Sequence, residues 1–309
     1  MAACLCLVFS LAIPTVEASV PAFYDMLYAV SPTVAQFFRP VQLSCKDNGI
    51  RMEVVAVYIH EDIAEIYVSM QDLDETRIDE TIDLFDSYQI NIPFDCTGNC
   101  KLSSYNADTH TATFLITIEQ WNGQNIIGDK LTFSIREFLS NKKTYKGIID
   151  DVNLKKIELT SETQTVQPRG IDENSTFFDE DTGYSTEKRL TVLKTAGSIS
   201  SPINGVTLTG IGYVDGHLHV QIYYEDILKT DNHGLIALLN NENGEMITCT
   251  ASISFFDDEK KGCYEEYIFT EDSAATLGDY ELYGEFVTSP GAVEGNWSVT
   301  FPLENNMDE

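Results

Sequence analysis

Between residues 45 and 304 apolar and polar positions alternate in short runs, and no segment carries a long, clean helical period. A period of two sends successive side chains to opposite faces of a strand. In the stretch NGIRMEVVAVYIHEDIAEIYVSMQD, Met52, Val54 and Ala56 alternate with Arg51, Glu53 and Val55. Ile63, Glu65, Tyr67 and Ser69 then form one face of a return strand, and Ala64, Ile66, Val68 and Met70 the other. Similar runs predict strands at 88–92, 111–118, 131–138, 235–239, 246–256, 264–270, 280–287 and 297–303, separated by Gly, Asn, Asp and Pro. A nucleotide-binding βαβ fold is excluded, because its parallel strands need crossover helices.

The pattern occurs twice. Asn48-Gly49-Ile50 opens the first copy and Asn204-Gly205-Val206 opens NGVTLTGIGYVDGHLHVQIYYED. With a short deletion near the turn, Ile66 falls on Val220, Val68 on Ile222, Met70 on Tyr224 and Asp72 on Asp226. Asp215-Gly216 is a two-residue hairpin signal, since Gly permits positive φ, and Glu61-Asp62 fills its place in the first copy. A repeat of one strand-rich unit, with turns at short spacing, predicts an all-β chain of two tandem antiparallel β-sandwiches at 41–158 and 188–304. Residues 159–187, rich in Thr, Ser and acids, read as a solvated linker whose like charges hold the domains apart, with Phe177 and Phe178 free to dock on a domain. Leu190 to Leu193 reads as the start of the second sandwich, and 305–309 as a tail.

Residues 1–19 carry an apolar run broken only by Ser10 before Pro14, followed by small residues suited to processing. This is the core of a secretory signal or the remnant of a membrane anchor. It is shorter than the roughly 20 residues that span a bilayer, and no Lys or Arg precedes Arg39. The missing basic flank predicts that Met1 is an internal or misassigned start with a basic stretch upstream; the alternative is a weak signal peptide. Residues 20–40 form a juxtamembrane segment with short helices expected at 22–29 and 32–38. Their aromatic faces, with Phe23, Tyr24 and Tyr28 on one and Phe37 and Phe38 on the other, read either as a membrane-surface belt or as faces packed on the following domain.

Charge narrows the partners. The 309 residues carry 49 acids and 19 Lys+Arg, a net charge of -30. Nucleic acid is an unsuitable partner, because binding it depends on cations that neutralise phosphate. Adhesion to anionic lipid through a basic face is disfavoured for the same reason. The aromatic and hydrophobic content excludes a disordered acidic chain.

The run YDMLYAVSPTVAQFFRPVQLSCKDNGIRMEVVAVYIHEDIAEIYVSMQDL resembles the bacterial extracytoplasmic family called domain of unknown function 4179, with Asp47, Asn48, Gly49 and Ile50 matching its strand opening. The second copy, ending GNWSVTFPL, is similar to the immunoglobulin-like C-terminal domain found with that family. The resemblance covers nearly all of residues 20–304. It implies immunoglobulin-like sandwiches on a membrane-associated protein, mostly of Firmicutes, and a sensory or protein-interaction ectodomain rather than an enzyme. Some members are similar to anti-sigma factors, but their cytoplasmic part has no counterpart in this sequence. The expected location is extracytoplasmic, with an unidentified protein or cell-envelope ligand as partner and the N-terminal segment at the membrane. The alternatives are a surface adhesin or carbohydrate-binding module, and a hydrolase with an interdomain cleft.

Chemistry-bearing residues are scattered. Cys96 and Cys100 flank a three-residue turn, and Cys249 and Cys263 flank a loop; each pair is a candidate disulfide in an exported protein, with Cys45 left over. His217 and His219 share one strand face and are candidate metal ligands, although spacing supplies no third. Asp179 and Asp181 lie in a DEDTG run that is a candidate for weak calcium binding, without the sixth-position Gly or terminal Glu of an EF-hand. His60-Glu61 lacks the second His of a zincin helix, since Ala64 occupies that position. No nucleophile elbow or phosphate-cradling loop occurs. No cofactor is expected.

Overall fold

A computed structural model describes residues 37–303 apart from 75, 86, 151, 158, 159, 170–175, 180–183, 188, 241 and 271–276, and describes only the backbone at 176–179 and 184–187. The expected leader, the 22–29 helix, most of the 32–38 helix, Asp181 and the 305–309 tail lie outside the described residues; Phe37 and Phe38, at the end of the second expected helix, are described and are not helical, and a strand begins at Arg39. The fold is nearly all β, in several antiparallel sheets, with no α-helix among the described residues.

In chain order the strands are β1 (Arg39–Asp47), β2 (Ile50–His60), β3 (Ile63–Asp72), β4 (Tyr88–Asn91), β5 (Cys96–Asn106), β6 (Thr111–Gln120), β7 (Asp129–Phe138) and β8 (Lys143–Ile148). A central group follows: β9 (Thr163–Val166), β10 (Thr176–Asp179), β11 (Tyr184–Glu187) and β12 (Leu190–Leu193). The second copy supplies β13 (Ser200–Ile203), β14 (Val206–Val214), β15 (His217–Tyr224), β16 (His233–Asn240), β17 (Met246–Thr248), β18 (Ala251–Phe256), β19 (Cys263–Phe269), β20 (Tyr280–Thr288) and β21 (Val293–Leu303).

The repeat is real in three dimensions. One five-stranded sheet runs β1-β2-β3-β6-β5 and another runs β13-β14-β15-β19-β18, the same order strand for strand. Both central hairpins carry a bulge at the same place, between Val54 and Ala56 and between Leu208 and Gly210. The copies differ in length between the Asn-Gly turn and this bulge, not at the hairpin tip. At the second tip Asp215 and Gly216 both have positive φ, as a tight right-twisted hairpin requires. On β3, Ala64, Ile66, Val68 and Met70 are buried in perfect alternation. On β15 the equivalent Leu218, Val220, Ile222 and Tyr224 join Ile236, Leu238, Leu282 and Phe286 of β16 and β20 in one apolar core.

The chain does not divide at 159–187. One compact unit gathers the residues up to Thr76, Ser87–Arg136 and everything from Gly295; the other holds Arg77–Asp86 and Glu137–Glu294. The smaller sheets explain this. The strand after β7 is β8, and it pairs with β20 in the sheet β17-β16-β20-β8. The strand after β20 is β21, and it joins β7 in the sheet β21-β7-β4. Each repeat gives its last strand to the sheet begun by the other. The expected 188–304 domain is therefore corrected: β21 alternates apolar and polar like any half-buried strand, so its pattern could not say which sheet it enters.

β21 seats firmly in the first unit. Trp297, Val299, Phe301 and Leu303 are buried and alternate with more exposed residues. The Trp297 indole N–H donates to the carbonyls of Asp47 and Ile50 at 3.1 and 3.2 Å, and the Asn296 N–H donates to Asp47 Oδ2 at 2.7 Å. The Thr132 and Thr300 hydroxyls lie 2.7 Å apart.

The linker expectation is also corrected. β9 pairs with β12, and β10 pairs with β11, so much of 159–193 is a folded excursion. Thr163, Thr165 and Val166 are β-branched residues suited to strands. The side chains of Asp179, Phe177 and Phe178 lie outside the described ones.

Within the second unit the segment 77–86 binds the connector after β7. Asp79 Oδ1 accepts from the Ser140 hydroxyl at 2.8 Å and from the Asn141 N–H at 3.0 Å. Lys142 Nζ donates to Asp83 at 2.7 Å and Asp231 at 3.2 Å. Burial alone would raise both Asp79 and Asp83. Thr81, Asn141 and Ser140 outweigh it at Asp79, and Lys142 and the Phe85 N–H at Asp83, so both carboxyls sit below the usual range. Burial lowers Lys142, but its two aspartates outweigh that and hold it above the usual lysine value.

Two outcomes follow. Trp297→Ala is expected to destabilise the first unit by about 3–5 kcal/mol, the usual cost of emptying such a buried site, read as a lowered denaturant midpoint; a change below about 1 kcal/mol contradicts the seating. Depressed carboxyls stabilise fully above their unfolded pKa and lose that contribution as pH falls through their lowered folded values. Asp79→Asn should therefore flatten the acid limb of a melting-temperature profile below the ordinary carboxylate range; an unchanged limb contradicts it.

Candidate functional site

The site is built on the outer face of the second repeat's large sheet. Gln221 and Glu266 are directly opposite each other on β15 and β19, and both are fully buried although they point away from the apolar core. What covers them is the β9–β12 ribbon. The Leu193 N–H donates to both Glu266 carboxylate oxygens at 3.0 Å. Gln221 Nε2 donates to the Leu193 carbonyl at 3.0 Å and to Glu266 Oε2 at 2.9 Å, and the Thr209 hydroxyl donates to Gln221 Oε1 at 2.9 Å. His219 Nδ1 lies 2.6 Å from Glu266 Oε1. A buried carboxylate is tolerated only when its oxygens are paired, and three partners converge here: the Leu193 N–H, the Gln221 amide and the His219 ring.

Two glycines of β14 make room for the ribbon. A Cβ on Gly210 would meet Leu193 Cδ1 at 3.2 Å, and one on Gly212 would run into the Ser161 hydroxyl. The bulge residue Thr209 is the counterpart of Val55, and Gln221 that of Tyr67. In the first repeat Val55 and Ala56 are covered by Phe38, whose ring lies 5.1 Å from that of Tyr67. Of the two readings of the aromatic faces, packing on the domain describes Phe38. The same positions are thus closed by an apolar cap in one copy and a polar clamp in the other.

Grooves flank the ribbon. One, of about 740 Å³, is lined by Ile157, Ser161, Lys194, Ile199 and Ile211 among others. The second, of about 900 Å³, is richer in chemistry, with Arg169, Tyr223, Phe256, Asp257, Lys260 and Tyr264 on its walls. Tyr264 stacks on Phe255 at 5.1 Å and lies 4.8 Å from Tyr223. The Arg169 guanidinium sits 5.4 Å from the Phe256 ring, within cation–π range. The Tyr223 hydroxyl donates to Asp257 Oδ2 at 2.9 Å. Burial, and then Asp257, push that hydroxyl well above the usual tyrosine range. Asp257 is itself held low: burial opposes, but Tyr223 and the Gly262 and Lys261 N–H groups outweigh it. This groove can offer stacking faces and charges of both signs.

The candidates from sequence fare differently. His217 is exposed at the end of β15 while His219 is buried against Glu266, so the pair does not converge on one ion. Among the described residues no group of three His, Cys, Asp or Glu is placed to hold a metal. Cys96 and Cys100 do not flank a turn. Both lie on β5, opposite Gln120 and Ile116. Four residues of strand separate their Cα atoms by about 13 Å, beyond the roughly 7 Å a disulfide allows. Alternation Thr97–Gly98–Asn99 has no hydrophobic signal, which is why this strand was hidden. Cys249 and Cys263 are also unbonded, as is Cys45. Burial pushes the Cys100 thiol up to about 12 and raises the other four, which makes them poor nucleophiles. Glu266, Gln221 and Lys142 went unnoticed in the sequence; a pair of acids, Glu265 and Glu266, within the apolar-aromatic run CYEEYIF was the available signal.

No family model matches the chain, and no curated protein matches it. Among solved structures it is similar to a conserved domain protein from Bacillus anthracis, at 10% identity and a TM-score of 0.29, over 86% of this chain and 77% of that one.

Glu266→Ala should leave the Leu193 N–H and the Gln221 amide without their acceptor at about 1–3 kcal/mol each, and should open 160–195 to limited proteolysis; equal protection in the variant contradicts the clamp. Alkylation of the denatured protein without reductant is expected to label all of Cys45, Cys96, Cys100, Cys249 and Cys263; a peptide linking any two contradicts the unbonded state.

Proposed function

We propose that this chain is a non-enzymatic, extracytoplasmic sensory or protein-interaction ectodomain of a bacterial membrane-associated protein, built from two immunoglobulin-like sandwiches of the kind seen with domain of unknown function 4179. The groove beside the ribbon is its contact surface. The supporting observation is chemical. The buried acid–histidine–amide cluster is saturated by its own partners, whereas the groove presents Tyr223, Tyr264, Phe256 and Arg169, residue types enriched at protein interfaces. An anti-sigma-type system is the signalling context that the family resemblance suggests. No helix among the described residues is long and apolar enough to cross a membrane; the membrane attachment in this proposal rests on the apolar run of the sequence before Pro14.

A second reading is favoured by one feature. Aromatic rings beside Gln164, Gln167 and Asp257 are also what a carbohydrate site needs. The two readings separate in one experiment. The immobilised chain and an Arg169→Glu/Tyr264→Ala variant are challenged with solubilised envelope proteins and, in parallel, with purified cell-wall glycans. The proposal expects saturable retention of a protein that the variant loses at least about tenfold, in line with a central interface residue. Retention of a glycan alone supports the carbohydrate reading. Equal binding by both chains contradicts the groove as the contact surface.

A further inference from the structure

The first unit takes its closing strand from chain that is not its immediate continuation. For the first unit the acceptor edge is β7, and the donor β21 arrives only after the whole of 137–294. Its seating rests on its own contacts: four buried side chains, two hydrogen bonds from the Trp297 indole and the threonine pair. The acceptor also discriminates. β8, the strand that follows β7 in sequence, is KTYKGI and holds no tryptophan to reach the Asp47 and Ile50 carbonyls.

The connectors are built alike. Residues 139–142 precede β8 and 289–292 precede β21, four residues each. Each is fastened to a loop of its own repeat through a serine. The Asp79 N–H donates to the Ser140 hydroxyl at 3.0 Å, and the Asp231 N–H donates to the Ser289 hydroxyl at 2.9 Å. The Ser289 N–H in turn donates to Asn232 Oδ1 at 3.1 Å. The connector is therefore anchored independently of where its strand docks.

We propose that the first unit is a strand-acceptor site whose ligand in trans is β21 of a second copy of this chain, so that the protein forms a strand-exchanged dimer. Exchange between copies keeps every contact that exchange within a chain makes, which is why swapping an identical element is a low-cost route to dimers. Within one chain the short tether gives an effective concentration on the order of millimolar. Chains at roughly 0.1 mM should then exchange at about a tenth of sites.

The Thr132–Thr300 contact supplies the test. Full-length chains bearing Thr132→Cys and full-length chains bearing Thr300→Cys, distinguished by mass tags, are co-expressed, concentrated to about 0.1 mM of each and oxidised. Cross-linked peptides are then mapped. A chain carrying both substitutions is the control, and it is expected to link the two introduced thiols within itself. The proposal expects an interchain link between positions 132 and 300 in about a tenth of the mixed chains, in a species of dimer mass. A control that links while the mixture gives no interchain link overturns the proposal. A control that fails to link overturns it as well, because β21 is then not seated on β7.

Discussion

The structure depends on a reciprocal strand exchange. Two repeats each build a five-stranded sheet from local hairpins, but neither completes its smaller sheet alone. β8 closes the second unit on β20, and β21 closes the first on β7. An unclosed edge beside a buried apolar face leaves backbone groups and side chains without partners. The seating of Trp297 shows how much rests on the donated strand: a fully buried indole in the first unit is contributed by the far end of the chain. Such long-range pairing has high contact order, and its loop closure must precede the stabilising contacts.

Once the sheets are closed, their outer faces still need cover. The repeats meet this need at equivalent positions with different chemistry. Val55 and Tyr67 pack under Phe38; Thr209 and Gln221 bind a ribbon through Glu266 and Leu193. A polar clamp is more directional than an apolar cap, because each hydrogen bond fixes a register. It places the ribbon in one position and so shapes the grooves on either side. The proposed contact surface is thus a consequence of how the second repeat covers its sheet.

Much of the architecture was legible in the sequence. Period-two alternation located β2, β3, β6, β7, β15, β16, β19 and β20 within a few residues, because half-buried strands impose that pattern. The Asn-Gly and Asp-Gly turns revealed the repeat, because positive φ restricts residue choice. The strands of the expected linker were not legible, and neither were two further features. β5 shows little alternation, since an exposed edge strand has no face to bury. The destination of β21 was hidden for a different reason: pairing is non-local, and a strand's pattern specifies which face is buried but not which neighbour it joins. The site was poorly legible. His219 was singled out as a metal candidate, whereas its partner Glu266 lies 47 residues on and is brought opposite only by the β15–β19 register.

The central claim is that the repeats cannot complete themselves separately. Its most direct measurement is fragment complementation with the chain divided within 170–175, each half followed by near-ultraviolet circular dichroism during thermal unfolding. The account predicts that neither half alone unfolds cooperatively, and that an equimolar mixture regains the transition of the intact chain. Two halves that each unfold cooperatively alone, at the temperature of the mixture, would contradict it.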